Sequence, residues 1–231
     1  MQAIILSAGL GLRLRPLTNN LPKVMLPIKG KPLLEYHIEQ LKKYGVKEIF
    51  INLHYLPERI TDYFKDGQTF GVKINYHFEK ELLGTAGAIT AFSSKLKKHF
   101  FLLFGDLFTN FNYSKLMDFH REQKGIGTMV IHKTDHPEDS DLVILNGKRI
   151  KHIYLKPHNF LPSQEFFGIA GIYIFSKEIL EFIKLGEYSD LAQEILPIIL
   201  KKELPLYGYI ASDYIRDIGT LQRYNKLIKA F

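Results

Sequence analysis

Apolar positions in this chain come as short continuous runs, separated by stretches with helical spacing. The opening run, residues 2–7, is apolar and of strand length. Residues 32–44 carry apolar side chains at helical spacing, with Pro32 at the start and Gly45 just past the end. The pattern then predicts a strand at 47–53, a short helix at 58–64 after Pro57, and an alternating strand at 72–76. A helix at 85–96, a fully buried strand at 100–104, a helix at 113–123 and a strand at 127–132 follow. Strand and helix alternate with short connections. This predicts βαβ units: a Rossmann-like α/β fold with a mostly parallel mixed sheet flanked by helices.

The second half changes character. Residues 142–145 and 150–154, joined through Asn146-Gly147, predict a hairpin with a tight primed turn. A buried strand is expected at 167–175, helices at 178–184 and 191–200, a strand at 206–210 and a closing helix at 220–230. No linker or internal repeat is visible. Residues 158–165 read as a loop of lid type.

A chain of 231 residues suits one α/β domain, and 46% hydrophobic residues supply a sizeable core. The formal net charge is +7, but basic residues are single or paired, as in Lys42-Lys43, with no arginine-rich arm. A polyanionic small substrate is therefore expected rather than nucleic acid. There is no Cys, which excludes disulfides, thiolate catalysis and Cys-type zinc sites. No signal peptide or membrane-length apolar stretch is present, so no membrane partner is expected and the cytoplasm is the default compartment.

The chemistry concentrates first in residues 8–23. Gly9 and Gly11 follow the opening strand and let backbone N–H groups approach a ligand, while Arg13, Arg15 and Lys23 add cations. A nucleoside polyphosphate fits such a loop. It is not the dinucleotide fingerprint, because Leu14 stands where a third glycine belongs, and no Gly-Lys-Ser/Thr triplet marks a P-loop. Asp106 and Asp217 each follow a strand-like segment; together they suit Mg²⁺, and singly either is a helix cap or turn residue. Lys156 follows a strand and, on residue type alone, is also a plain solvated lysine. His132 and His136 are four apart, but Pro137 and the strand spoil a ligand pair, so they are taken as structural or solvated.

The run Ala8-Gly-x-Gly-x-Arg-Leu-Arg-Pro-Leu-Thr18, with Pro22-Lys-x-Met-Leu-Pro27 and Lys31-Pro32, resembles the signature of the sugar-1-phosphate nucleotidylyltransferases. Gly105-Asp106, Asp217-Ile-Gly-Thr220, Lys156-Pro157 and Ala170-Gly-Ile-Tyr173 resemble further motifs of that family. The resemblance implies a single nucleotide-diphospho-sugar transferase domain over 1–231, with a nucleotide-binding half at 1–135 and a sugar-phosphate-binding half at 136–231. It implies nucleotide contacts at Leu6, Ala8, Gly9, Gly11, Arg13, Glu79, Gly84 and Thr85, and sugar-phosphate contacts at Lys156 and Gly171. It makes Arg13, Lys23 and Asp106 catalytic and places Mg²⁺ on Asp106 and Asp217. Arg13 would hold the triphosphate tail, Lys23 the α-phosphate and Lys156 the attacking sugar phosphate.

Departures from the family pattern fall on Leu12, Leu221, Leu155 and Ile169, the last two on the sugar side. Residues 79–88 most resemble the base-recognition segment of mannose-1-phosphate and D-glycero-D-manno-heptose 1-phosphate guanylyltransferases. There Gly84 lets the backbone approach a flat base, and Thr85 is expected to cap the following helix. Glu79, with Glu81 as second candidate, accepts both donors of guanine, which predicts GTP; as a solvated strand-end residue it would leave the base to backbone groups. Residues 136–143 with 156–158 resemble a heptose-type subgroup, which implies a pathway phosphatase and a surface-glycan product. Homodimerisation is left open. The rival readings are a uridylyltransferase for an amino sugar phosphate, a phosphocholine cytidylyltransferase, and a catalytically silent nucleotide-sugar sensor.

Overall fold

The computed structural model describes residues 1–158 and 161–230. The chain runs β1 (Gln2–Leu6), β2 (Pro27–Ile28), β3 (Lys31–Pro32), α1 (Leu33–Lys43), β4 (Glu48–Leu53), α2 (Glu58–Phe64), β5 (Lys73–Phe78) and α3 (Gly84–Thr90). It continues through β6 (His99–Phe104), β7 (Leu107–Thr109), α4 (Tyr113–Gln123), β8 (Gly127–His132), β9 (Leu142–Asn146) and β10 (Arg149–Tyr154). It ends with β11 (Phe167–Ser176), α5 (Leu196–Lys201), β12 (Leu206–Ile210), β13 (Ile215–Asp217) and α6 (Leu221–Ala230). Two compact units emerge: Met1–Leu82 with Leu102–Asn112 and Asp213–Phe231, and Leu83–Phe101 with Tyr113–Ser212.

In the first unit the strand order is β5-β4-β1-β6. β1, β4 and β5 are parallel and in register, with Leu6 opposite Asn52 and Asn52 opposite His77. Their carboxyl ends therefore share one edge, where ligands of open α/β sheets bind. Ala3, Ile4, Ile5, Phe50 and Ile51 are fully buried, which explains the unbroken apolar runs. A second core joins Leu14, Leu26, Ile28, Leu33, Ile218, Tyr224 and Leu227. It ties the glycine loop to β2, α1 and the C-terminal helix α6. Tyr224 adds a hydrogen bond from its hydroxyl to the Pro27 carbonyl at 2.7 Å.

In the second unit the strand order is β11-β8-β12-β10-β9, and β9 also pairs with β11. β8–β12 is parallel there, whereas β8–β11, β9–β10, β9–β11 and β10–β12 are antiparallel. The mostly parallel expectation thus holds for β1, β4 and β5 and gives way to mixed pairing here. For the β9–β10 pair the cause is local: the strands are joined by two residues, and so short a link allows only antiparallel pairing.

Most predicted elements form, with informative exceptions. The hairpin loop is Gly147-Lys148, one residue beyond the expected turn, since Asn146 pairs with Arg149. α3 stops at Thr90 rather than 96; Phe92, Ser93 and Lys95 donate i→i−3 bonds instead. Thr90, Phe92, Ser93 and Ser94 are weaker helix formers than the Ala, Lys and Leu between and after them, which lowers the local support for the longer helix. Lys177–Phe182 is a 3₁₀ segment, and 191–200 divides into a π-helical turn, Leu191–Ile195, and α5. Pro197 has no N–H to continue an α-helical ladder there. β5 runs on to Phe78, and the short strands β2, β3, β7 and β13 carry too few residues to show a period.

Candidate active site

The glycine loop is built from β1 outward. Gly11 adopts φ 64°, and a Cβ there would lie 3.0 Å from Thr18 Cγ2. Thr18 Oγ1 donates to the Gly11 carbonyl at 2.8 Å and closes the turn. Leu14 is fully buried while Arg13 and Arg15 on either side are exposed, so one apolar anchor presents both cations. Gly9 is exposed, with open space where a Cβ would stand. Ala8 is buried and Leu6 is half-buried beside them.

Five charged side chains meet next to this loop. Lys23 opens the short 3₁₀ turn Lys23–Met25, and its Nζ forms an ion pair with Asp106 Oδ2. Asp106 sits in the turn between β6 and β7. β13 pairs antiparallel with β7, placing Asp217 opposite Leu107, and the Ile218 N–H donates to the Asp106 carbonyl at 2.9 Å. The ladder thus brings together two carboxylates 111 residues apart in sequence (217 − 106). Arg223 Nη1 donates to both oxygens of Asp217 at 2.9 Å, and the Gly219 N–H donates to Oδ1 at 2.8 Å. Arg13 approaches the same turn; its Nη2 lies 3.5 Å from where a Gly219 Cβ would be.

Burial alone would raise the Asp217 pKa. The Arg223 hydrogen bond, the Gly219 N–H and the Lys23 charge outweigh it and hold the carboxyl below its ordinary value. That Asp217 feels Lys23, the partner of Asp106, marks one shared electrostatic site. His37 of α1 is buried beneath the same turn, against the Gly105 and Leu107 backbone. Burial lowers its pKa to about 4, so it stays neutral beside Asp106.

Arg223 and His37 are absent from the sequence expectations. A signal existed for Arg223: it lies in the first turn of α6, where the helix dipole disfavours a cation that lacks a carboxylate partner.

Two half-buried carboxylates fit Mg²⁺, which takes one or two protein carboxylates and leaves its other positions to phosphate and water. Among the described residues no group of three or more His, Asp or Glu forms a fuller metal cage. His132 and His136 bond locally, to the Lys133 carbonyl and to Ser140 Oγ, in keeping with a structural role.

Glu79 is buried, at 2% exposure, so it is not a solvated strand end. Its Oε1 accepts from Asn52 Nδ2 at 2.7 Å, and Asn52 Oδ1 accepts from the Ser7 N–H at 2.7 Å. His54 Nδ1 bonds the Glu79 carbonyl at 2.8 Å. Glu81 is exposed. Asn52 escaped sequence reasoning because nothing in a strand's alternation distinguishes a bridging amide from a solvated one.

In the second unit, Gly84 has φ 75°, and a Cβ there would lie 2.5 Å from the Ser189 carbonyl oxygen. On the side where a Cβ would stand, the close neighbour that Gly84 admits is thus the segment 187–191. Thr85 does not cap α3. Its hydroxyl donates to Asp190 Oδ2 at 3.0 Å and accepts from the Leu191 N–H at 2.7 Å, while the Ser189 carbonyl takes the Ala86 and Gly87 N–H groups. The orphan donors of the helix start are satisfied by backbone, which leaves Thr85 to staple the strap.

Lys156 is exposed; its Nζ donates to the Asp139 carbonyl and its N–H to Asp141 Oδ1, each at 3.0 Å. Gly171 lies buried in β11 at φ 77°, within the register shift against β8. Residues 159 and 160 of the lid-type segment lie outside the described residues. Among the described residues no helix is long and apolar enough to cross a membrane.

A family model described as Nucleotidyl transferase matches residues 2–231. The D-glycero-alpha-D-manno-heptose 1-phosphate guanylyltransferase of Campylobacter jejuni is 35% identical over 97% of each chain. A UTP–glucose-1-phosphate uridylyltransferase of Synechocystis sp. is 32% identical over 99% of this chain and 63% of its own length. The chain thus spans about three fifths of that longer relative. The solved structure of HddC from Yersinia pseudotuberculosis complexed with GMP-PN is similar at TM-score 0.82 and 26% identity, covering 100% of this chain and 99% of that one.

Proposed function

Because this chain belongs to the nucleotidyl transferase family, we propose that it transfers a nucleotidyl group from an NTP to a sugar 1-phosphate, releasing pyrophosphate. The observation that carries this reading is the meeting of Lys23, Asp106, Asp217 and Arg13 beside the glycine loop. In-line attack of a phosphate oxygen on the α-phosphorus needs positioning and charge neutralisation, not a covalent enzyme intermediate. Arg13 holds the triphosphate tail and stabilises charge that builds on the leaving pyrophosphate. Lys23, held by Asp106, neutralises the α-phosphate. Lys156 meets the sugar phosphate once it exchanges Asp139, an exchange that is cheap for an exposed pair. Asp106 and Asp217 would hold Mg²⁺, which supplies further neutralisation of phosphate charge.

GTP is the proposed donor, with a heptose or mannose 1-phosphate as acceptor. Glu79 supports this: guanine presents the donors N1–H and N2–H₂ on one edge, and a carboxylate is an acceptor only. The names of the heptose guanylyltransferase relative and of the HddC complex with GMP-PN point the same way. The uridylyltransferase relative favours UTP and glucose 1-phosphate as the second reading. The test is pyrophosphate release with Mg²⁺ across four NTPs crossed with glucose, mannose and heptose 1-phosphates. GTP with mannose or heptose 1-phosphate is expected to give the highest kcat/KM. A UTP optimum would select the second reading, and no release with any pair would remove transferase activity altogether.

A further inference from the structure

Asp217 already holds a cation. Arg223 Nη1 stands 2.9 Å from each of its two oxygens, and the Gly219 N–H reaches Oδ1 at 2.8 Å. A single nitrogen equidistant from both oxygens takes the place that a cation shared by the two would need. Asp106, by contrast, meets Lys23 through Oδ2. Local structure fixes the Arg223 pairing. β13 ends on Asp217 and is held by its ladder to β7, and α6 begins at Leu221. Thr220 Oγ1 accepts the Arg223 N–H at 3.3 Å, as an N-cap does, which sets Arg223 in the first turn of α6. Side chains of a helix lean toward its N-terminus, so Arg223 reaches back to the Asp217 turn. The helix dipole disfavours a cation in that turn, so the carboxylate, and not the helix, holds the guanidinium. The two side chains are 28% and 29% exposed, so ions in solution can reach the pair.

We propose that Arg223 is the internal counter-ion of the Asp217 carboxylate and holds bare divalent metal off it. This rests on the reading of Asp217 as a Mg²⁺ ligand. A cation gains both oxygens only by displacing the guanidinium. The displaced group stays tethered to α6 beside a doubly charged ion, and like charges repel. Metal that arrives alone therefore meets both a competitor for the oxygens and an unpaired positive charge. A merely supporting role has the opposite sign. If Arg223 only oriented Asp217 for the metal, its loss would weaken metal binding; as a counter-ion, its loss strengthens it.

The experiment titrates Mn²⁺ into the protein without nucleotide and reads the free ion by electron paramagnetic resonance. The proteins are the native chain, Arg223→Gln, Arg13→Gln, Asp217→Asn and the double variant Arg223→Gln with Asp217→Asn, with circular dichroism as the check on folding. Arg223→Gln is expected to bind Mn²⁺ about tenfold more tightly than the native chain, since charge-assisted hydrogen bonds to a carboxylate are among the stronger polar contacts. Arg13→Gln removes the same formal charge from the same cluster and is expected to gain less than about threefold, because charge effects through solvent are modest. The double variant is expected to lose the gain. If it keeps the gain, the metal is not on Asp217, and that reading and the proposal fall together. If Arg223→Gln binds no more tightly while Asp217→Asn weakens binding, Asp217 stands as a ligand and the role of Arg223 is overturned. An equal gain in Arg13→Gln would reduce the effect to general charge and also overturn it. Should Arg223→Gln not fold, Arg223→Met, which keeps the apolar stem without the guanidinium, is read by the same titration with the same expected gain.

Discussion

Acid should destabilise this protein through a histidine pair away from the glycine loop. His120 of α4 is 1% exposed, with Nδ1 bonded to Thr128 Oγ1 at 2.9 Å and Nε2 to His99 Nδ1 at 3.1 Å. Burial lowers the His120 pKa to about 4, and the nearby His99 and Arg121 push the same way. His99 is lowered too, by burial and by Lys98, with Glu178 opposing. Two protonated rings would set donor against donor across the 3.1 Å contact.

The folded His120 pKa is thus depressed below an unfolded value of 6.5. Between pH 6.5 and 4 the unfolded chain binds a proton that the folded chain refuses, so stability falls as pH falls. Each pKa unit is worth about 1.4 kcal/mol, so the whole window removes about 3 kcal/mol. That is a large share of the stability of a typical domain. The assay is urea unfolding at several pH values for the native protein and His120→Gln, which keeps a partner for Thr128 but does not titrate. Carboxylates titrate equally in both, so the difference between the two pH profiles isolates the histidine. The native protein should lose about 3 kcal/mol more than the variant between pH 6.5 and 4. Parallel profiles would refute the reasoning.

Asp106→Asn and Asp217→Asn should each lower turnover by about a hundredfold or more while circular dichroism stays native, because a neutral amide binds Mg²⁺ poorly; near-normal turnover with Mg²⁺ would remove them as ligands. Arg13→Ala and Lys23→Ala should lower kcat more than they raise the nucleotide KM if they act on charge that develops during transfer; a pure KM effect would make them ground-state binding residues. Gly84→Ala should destabilise by more than about 2 kcal/mol, since φ 75° and the Ser189 carbonyl 2.5 Å from the new Cβ both oppose it; a melting temperature within a degree of native would show that the 187–191 strap yields.

Much of the fold was legible because its signals are local. Residues 113–123 and 127–132 form the helix and strand that their spacing predicts, to the residue. The glycine loop declared its chemistry through residue types within a short window. Thr85 shows where such reasoning stops. A threonine before a helix reads as a cap, yet Ser189, more than a hundred residues away, supplies the acceptor and frees Thr85 for Asp190. α3 and the 191–200 helix were overextended because apolar spacing continues past the point where backbone hydrogen bonds change partner.

The residue types needed for phosphate chemistry, and the strands that end beside them, were determined by the sequence alone. Which of those residues meet was decided by the tertiary structure. Lys23 and Asp106 are 83 positions apart, and Asn52 lies 45 from Ser7 and 27 from Glu79. Periodicity reports which face of an element is buried, but not its register against a distant strand. That register follows from packing of the whole core, and here the β7–β13 ladder and the parallel β1, β4 and β5 edge set it.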